Sequence, residues 1–350
     1  MYLRSKIQLL LLAFSLSGVT ACGNLFPAKS ASGNTHSSEA MSGYKTLLKS
    51  EGYAATVDKD GDLEFSVSET QFYLDTSDTE YFGLFAAYGT PENDINNALK
   101  LAVNHMNLQQ RWCKVGYKEG SQKNQLLLSI EQYTAMPGEN SARLKLAATK
   151  LDLCAAEFRT SYAKAKDGGS LSFRDPKESW IAPKAIFAAA GGNAMAQRYL
   201  SALSKAGSFK GNRFSDLSID SDGDVRFTYG GNKGYISVDE STPNYQRIVM
   251  QFDTSGANAR TAMARANTVN NIIKIAKVSV RTSRTDEVSY NIASEQYLYD
   301  NSNVADYLHA GARAILAGQS KLVEVEEGEA QLNPSEPSTL RASLSKPLQY

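Results

Sequence analysis

Along the chain, apolar positions recur with two different periods. Leu63, Phe65 and Val67 alternate with Glu64, Ser66 and Ser68, and Val225, Phe227 and Tyr229 alternate with Arg226 and Thr228. A period of two puts one set on each face of a strand. Each stretch is preceded by an aspartate-rich turn, Asp58 to Asp62 and Asp220 to Asp224, and Asp-Gly at 60–61 and 222–223 favours a tight reversal between strands. Elsewhere the period lengthens. Leu99, Val103 and Met106 form one helical stripe, and Ala262, Ala266 and Val269 form another. Further strands are expected at Phe72–Asp75 extended by Tyr81–Tyr88, at Trp112–Tyr117 and at Gln125–Tyr133. In the second half they fall at Tyr235–Val238 extended by Ile248–Phe252, at Ile275–Thr282 and at Glu287–Tyr297. Closing helices are expected over Ser141–Lys166 and Val304–Ala317, and a part-helical connector over Trp180–Gly192.

The two halves carry the same landmarks in the same order. Tyr44–Leu48–Gly52 matches Tyr199–Leu203–Gly207, and Asp58–Phe65 matches Asp220–Phe227. Asn104 and Asn107 match Asn267 and Asn270, and Glu131-Gln132-Tyr133 recurs as Glu295-Gln296-Tyr297. The separations are 155, 162, 163 and 164 residues, rising in one direction as one longer loop and a few insertions would produce. Ordered self-similarity of this kind reads as a module used twice. Each copy is expected to begin with a helix that ends in a left-handed glycine cap at Gly52 or Gly207. The expected order is α-β-β-β-α-β-β-α: an α+β fold of two tandem antiparallel-sheet modules with segregated helices.

The amino-terminus has a different character. Arg4 and Lys6 precede an apolar run from Ile7 to about Leu16, and small residues lead into Val19-Thr20-Ala21-Cys22. This is the layout of a secretory signal peptide, expected over residues 1–21. Its apolar centre is shorter than the roughly 20 residues of a spanning helix. The segment ending at Cys22 resembles the lipobox of bacterial lipoproteins. The resemblance implies a diacylglyceryl thioether on Cys22, cleavage before it and acylation of the new amine. Two or more acyl chains hold a protein stably on a membrane, so the implied partner is the membrane and the implied place is the cell envelope. Gly23 follows where an aspartate would suggest inner-membrane retention, which favours the outer membrane, on its periplasmic side or surface.

Residues 22–42 are rich in Ser, Gly, Ala and Asn and read as a flexible tether. The remaining divisions are module 1 over 43–166, a linker over 167–195, module 2 over 196–320, and an acidic then Pro/Ser-rich disordered tail over 321–350.

Charge narrows the function classes. With 37 basic and 37 acidic residues and no basic stripe, nothing points to nucleic-acid binding. The three histidines, His36, His105 and His309, have no second ligand at metal spacing, and no nucleophile, phosphate-loop or dinucleotide motif appears in its required context. The chain is therefore read as non-catalytic, with no cofactor. After Cys22 two cysteines remain, Cys113 and Cys154, an even pair that an oxidising compartment would join; two buried free thiols are the alternative.

Three sets of residues are candidate sites. Asp58, Asp60 and Asp62, with Asp220, Asp222 and Asp224, suggest a calcium loop by composition. The glycine comes at position four rather than six, and a strand starts where the loop should continue, so a hairpin turn is the favoured reading. Asn104, Asn107, Asn267 and Asn270 would contact a ligand or, more commonly, satisfy neighbouring backbone. Trp180, Phe187 and Ala188–Ala190 are expected to pack between the modules, and His105 to be a partly buried helix residue.

The helix ending in glycine, the Asp-x-Asp-Gly-Asp turn entering a strand that ends in Phe, the helix ending in paired Asn and the late helix together resemble the YbjN-like domain. That resemblance spans about 43–166 and 196–320 and implies the fold of type III secretion chaperones, a fold associated with binding protein segments and with dimers. Members are typically single cytoplasmic modules without known enzymatic activity, whereas this chain is doubled and carries an export signal. The expectation is a lipid-anchored envelope lipoprotein acting as a protein-binding, assembly or chaperone-like module on an unidentified protein partner, its two modules forming either an intramolecular pseudo-dimer or two linked sites of raised effective concentration. The alternatives are an envelope structural or stress-related lipoprotein without a specific ligand, and an envelope enzyme without a known motif.

Overall fold

The structure is a computed structural model describing residues 38–67, 70–89, 96–118, 125–134, 141–168, 192–209, 211–239, 242, 244–283, 287–298 and 303–332. The signal segment with Cys22, residues 169–191 with Trp180 and Phe187, and residues 333–350 lie outside them.

Module 1 runs α1 (Ser38–Ser50), β1 (Ala55–Val57), β2 (Leu63–Val67), β3 (Thr70–Leu74), β4 (Tyr81–Gly89), α2 (Asn97–Gln109), β5 (Lys114–Lys118), β6 (Gln125–Tyr133) and α3 (Ser141–Lys166). Module 2 repeats the series as α4 (Gly192–Lys205), β7 (Phe214–Ile219), β8 (Val225–Tyr229), β9 (Asn232–Ser237), β10 (Tyr245–Asp253), α5 (Ala259–Asn270), β11 (Ala276–Thr282), β12 (Val288–Tyr297) and α6 (Val304–Leu332). The strand orders are β1-β2-β3-β4-β6-β5 and β7-β8-β9-β10-β12-β11, the same order, with every pairing antiparallel. The fold is α+β in two modules.

The alternation governs burial as expected. Leu63 and Phe65 face the core while Ser66 is exposed, and Val225, Phe227 and Tyr229 are buried while Arg226 is exposed. Each sheet lays its apolar face under its own helices. Tyr44, Leu48, Leu84, Leu128, Leu151 and Phe158 belong to the first core, and Tyr199, Phe227, Ile248, Ile292, Leu308 and Ile315 to the second. Tyr245 and Tyr297 of module 2 join the core of module 1.

Four expectations change. First, Tyr81–Gly89 does not extend β3. It is a fourth strand that turns back on it, pairing Leu74 with Leu84. The reversal needs neither Gly nor Pro, because the Asp75 carboxylate accepts the Ser77 amide at 2.7 Å. Second, α1 ends as expected in a left-handed glycine: Gly52 has φ +80°, with Gly52 N bonded to Lys49 O and Tyr53 N to Leu48 O. Gly207 does not have that conformation. α4 stops at Lys205, and the Gly207 carbonyl accepts from His309 Nε2 at 3.0 Å instead.

Third, the tether does not extend to residue 42. α1 starts at Ser38, and Ala40 is fully buried. Fourth, the stretch assigned to a disordered tail from residue 321 is helical through Leu332. Leu322 is fully buried, and Glu326, 1% exposed, is held by Arg265 of α5 at 2.9 Å, as Glu329 is by the same guanidinium. An acidic run supports a helix when a buried cation waits one face away.

Candidate functional site

Among the described residues, the densest gathering of buried charge and paired polar groups lies where the modules meet. Its parts occur in pairs, one from each half. β5 and β11 are edge strands whose outward N–H and C=O groups need partners. On β5, Asn107 of the same module brackets Val115, donating Nδ2 to its carbonyl at 2.7 Å and accepting its amide at 2.8 Å. Asn267 of the other module does the same for Tyr117, at 3.1 and 2.9 Å. On β11, Asn270 brackets Val278 at 2.8 and 2.7 Å, and Asn104 of module 1 brackets Val280 at 2.9 and 2.6 Å. In each Asn pair, three residues apart on one helix, one side chain serves its own sheet and the other reaches across. The asparagines thus take the backbone-satisfying role.

Buried ion pairs repeat the arrangement. Lys114 meets Glu131 at 2.5 Å and donates to Ile273 O of module 2 at 2.6 Å. Lys277 meets Glu295 at 2.8 Å and donates to Gln110 O of module 1 at 2.6 Å. The carboxylates also reach across: Glu295 accepts the Trp112 amide at 2.5 Å, and Glu131 accepts the Ile275 amide at 3.0 Å. Trp112 and Ile275 both have left-handed backbones, with φ of 79° and 68°. That conformation costs a non-glycine residue about 1–3 kcal/mol and persists where surroundings enforce it; here each strained amide is held by the opposite module's glutamate.

An outer pair of cations completes the seam. Lys274 meets Asp75 at 3.0 Å and lies 4.2 Å from the Tyr81 ring centre, while Arg111 meets Asp239 and lies 5.4 Å from the Tyr245 ring centre. At Gly116 the backbones come close. An added Cβ would stand 2.6 Å from Asn271 Oδ1, whose Nδ2 donates to Tyr117 O.

Burial lowers the Lys277 ammonium to about 8, with Glu295 working against the shift, and it lowers Lys114 against the pull of Glu131. Burial alone would raise Asp75, but Lys274 and the Ser77 hydrogen bonds outweigh it and hold the carboxyl below its ordinary value. Burial pushes the phenols of Tyr81 and Tyr245 well up. Lys114 and Lys277 are neutralised within their own modules and donate across the seam to carbonyls, while Lys274 and Arg111 pair with carboxylates of the other module. A buried charge left without its partner is costly, so these contacts favour one mutual arrangement of the modules.

The glutamates and tyrosines of the Glu-Gln-Tyr repeats meet here as well. Tyr133 N donates to Gln296 Oε1 at 2.9 Å, and Tyr297 packs 5.1 Å from the Trp112 ring. Sequence reasoning passed over Arg111, Trp112, Lys114, Lys274 and Lys277. The signal was available: Lys114-Val115 and Lys277-Val278 sit at the same offset as the matched asparagines.

The aspartate turns precede β2 and β8, the second strand of each sheet. Asp58 Oδ1 accepts the amides of Asp60 and Asp62 at 2.9 Å each, and Asp220 Oδ1 those of Asp222 and Asp224 at 3.0 and 2.9 Å. Asp62 and Asp224 tie the turn to the following hairpin through the amides of Thr76 and Val238. Asp58 and Asp220 direct their carboxylates inward to close the turn, and among the described residues no cluster of His, Cys, Asp or Glu is arranged to hold a metal. Cys113 and Cys154 are joined as a disulfide, with Cα atoms 6.5 Å apart. His105 is half-buried on α2. No helix among the described residues is long and apolar enough to cross a membrane.

No family model matches the chain, and no curated protein does. Among solved structures, it is similar to the crystal structure of YbjN from E. coli, at 12% identity, over 38% of this chain and 96% of that one, with a TM-score of 0.26.

Proposed function

We propose that this chain is a lipid-anchored envelope lipoprotein whose two YbjN-like modules, products of a tandem duplication, act as one rigid, non-catalytic binding or assembly body. The reciprocal seam carries this reading. The chain's densest set of buried charges and amides is committed to holding one module against the other, as in a pseudo-dimer, rather than to a reacting group. The disulfide between Cys113 and Cys154 fits an oxidising compartment, and the signal segment ending at Cys22 supplies the route and the anchor. Such a body on an outer-membrane lipid would hold a protein partner close to the membrane. Export of the full chain with labelled palmitate tests the anchor: label is expected on the wild type and absent from Cys22→Ala. Affinity capture from detergent-solubilised envelope tests the partner, and no reproducibly enriched protein would overturn the binding role.

A further inference from the structure

Residues 112 to 114 are three consecutive contacts with module 2. Trp112 packs its ring 4.6 and 5.1 Å from those of Tyr245 and Tyr297, Cys113 O accepts from Lys277 Nζ at 3.2 Å, and Lys114 Nζ reaches Ile273 O. The middle residue of the three carries the cross-link, and its partner is Cys154 on α3. α3 also faces the seam. Arg143 donates to Tyr307 Oη at 3.0 Å, and Lys150 lies 6.0 Å from the Trp112 ring centre. The disulfide therefore joins two elements that module 1 presents to module 2, and it anchors the residue next to strained Trp112. In module 2 the matching position is Ala276, so only one side of the seam is fastened this way.

We infer that formation of the Cys113–Cys154 bond is a redox gate on docking: each module folds without it, and the docked arrangement is secured only once it has formed. The chemistry is thiol–disulfide exchange. One cysteine thiolate attacks a disulfide-bearing oxidant and displaces one of its thiolates. The second cysteine then displaces the other, so the oxidant leaves as a dithiol having accepted two electrons. Resting on the export proposed above, the thiols stay reduced and the modules loosely associated before export, and the seam closes after it.

Docking must in turn protect the bond, because a coupling between two equilibria is reciprocal. Cys113 is 0% and Cys154 6% exposed, so a reductant reaches them only when the region opens. The test uses the purified full-length protein, reduced in place with a phosphine and kept reduced, with amide exchange read at Tyr117 and Val280 on the seam and at Leu84 and Ile248 in the two cores. Module 2 carries no disulfide, so it reports docking alone: the expected result is exchange at least tenfold faster at Val280 with Ile248 unchanged, and a larger rise at Tyr117 than at Leu84, which registers the lost cross-link of module 1. Unchanged exchange at Val280 would overturn the proposal, and so would equal acceleration at Val280 and Ile248. As a second reading, Asn267→Ala should make the bond reduce at least tenfold faster in the oxidised protein. An unaltered rate contradicts the coupling.

Discussion

Modules 1 and 2 share a strand order, a helix order and a docking surface, yet they fasten their last helix differently. In module 1, α3 is tied to the start of β5 by the Cys113–Cys154 disulfide. In module 2, where Ala276 replaces Cys113, α6 runs on to Leu332, and its extra turns clip to α5 through Arg265 with Glu326 and Glu329. Module 1 has Ala102 at the position matching Arg265. The asparagine clamps and the Lys–Glu pairs at the seam stay alike, whereas the fastening of the last helix differs. Contacts that must fit a partner surface are constrained from both sides, whereas a fastening inside one module needs only to hold.

The comparison can be broken at its strongest point first. Glu295→Leu takes the carboxylate partner from buried Lys277 and from Arg247 together, which should cost about 3–5 kcal/mol in urea unfolding. Glu131→Leu does the same to Lys114 and should cost a similar amount. A large inequality would mean the halves are not energetically equivalent. The fastenings come next. Removing the disulfide as Cys113→Ala/Cys154→Ala opens a loop of 41 residues and should cost about 3–4 kcal/mol by the chain-entropy relation. Smaller again, Asn104→Ala and Asn267→Ala each strip both backbone partners from one edge residue and should cost about 2–3 kcal/mol each.

The smallest effect is the pH dependence of the seam. Lys277 has a folded value near 8, below its ordinary one, so the unfolded chain binds more protons between about 8 and 10.5. The cost of burying the charge is therefore full below pH 8 and fades as the pH rises through that window. Relative to Lys277→Met/Glu295→Leu, which lacks the pair, the wild type should gain on the order of 1 kcal/mol between pH 8 and 9 in parallel denaturant titrations. A flat difference would show that Lys277 titrates normally.

Much of the fold was legible in the residues. Alternation at Leu63–Val67 and Val225–Tyr229, the Asp-Gly turns and the ordered matches between halves sufficed for two α+β modules, because one wet sheet face leaves a clear mark on the sequence. The fourth strand escaped because its reversal is made by an aspartate side chain rather than by Gly or Pro. The length of α6 escaped because Glu324 to Glu329 has the composition of a solvated tail, and only the position of Arg265, some sixty residues earlier, shows that one of those glutamates is buried. The seam was half legible. The recurrence of the asparagines and of Glu-Gln-Tyr marked them as constrained. That Asn104 reaches Val280, 176 residues away, depends on how two finished modules approach, which no local pattern encodes.

The most direct measurement of the docked arrangement is residue-resolved amide exchange in the two single variants. Across the seam Asn104 hydrogen-bonds Val280, and Asn267 hydrogen-bonds Tyr117. If the modules dock as one reciprocal unit, Asn104→Ala speeds exchange at Tyr117 as well as at Val280, and Asn267→Ala speeds it at Val280 as well as at Tyr117, by similar factors. If each substitution frees its own bonded amide and leaves the distant one protected, the two clamps act independently and the paired seam is not a single interface.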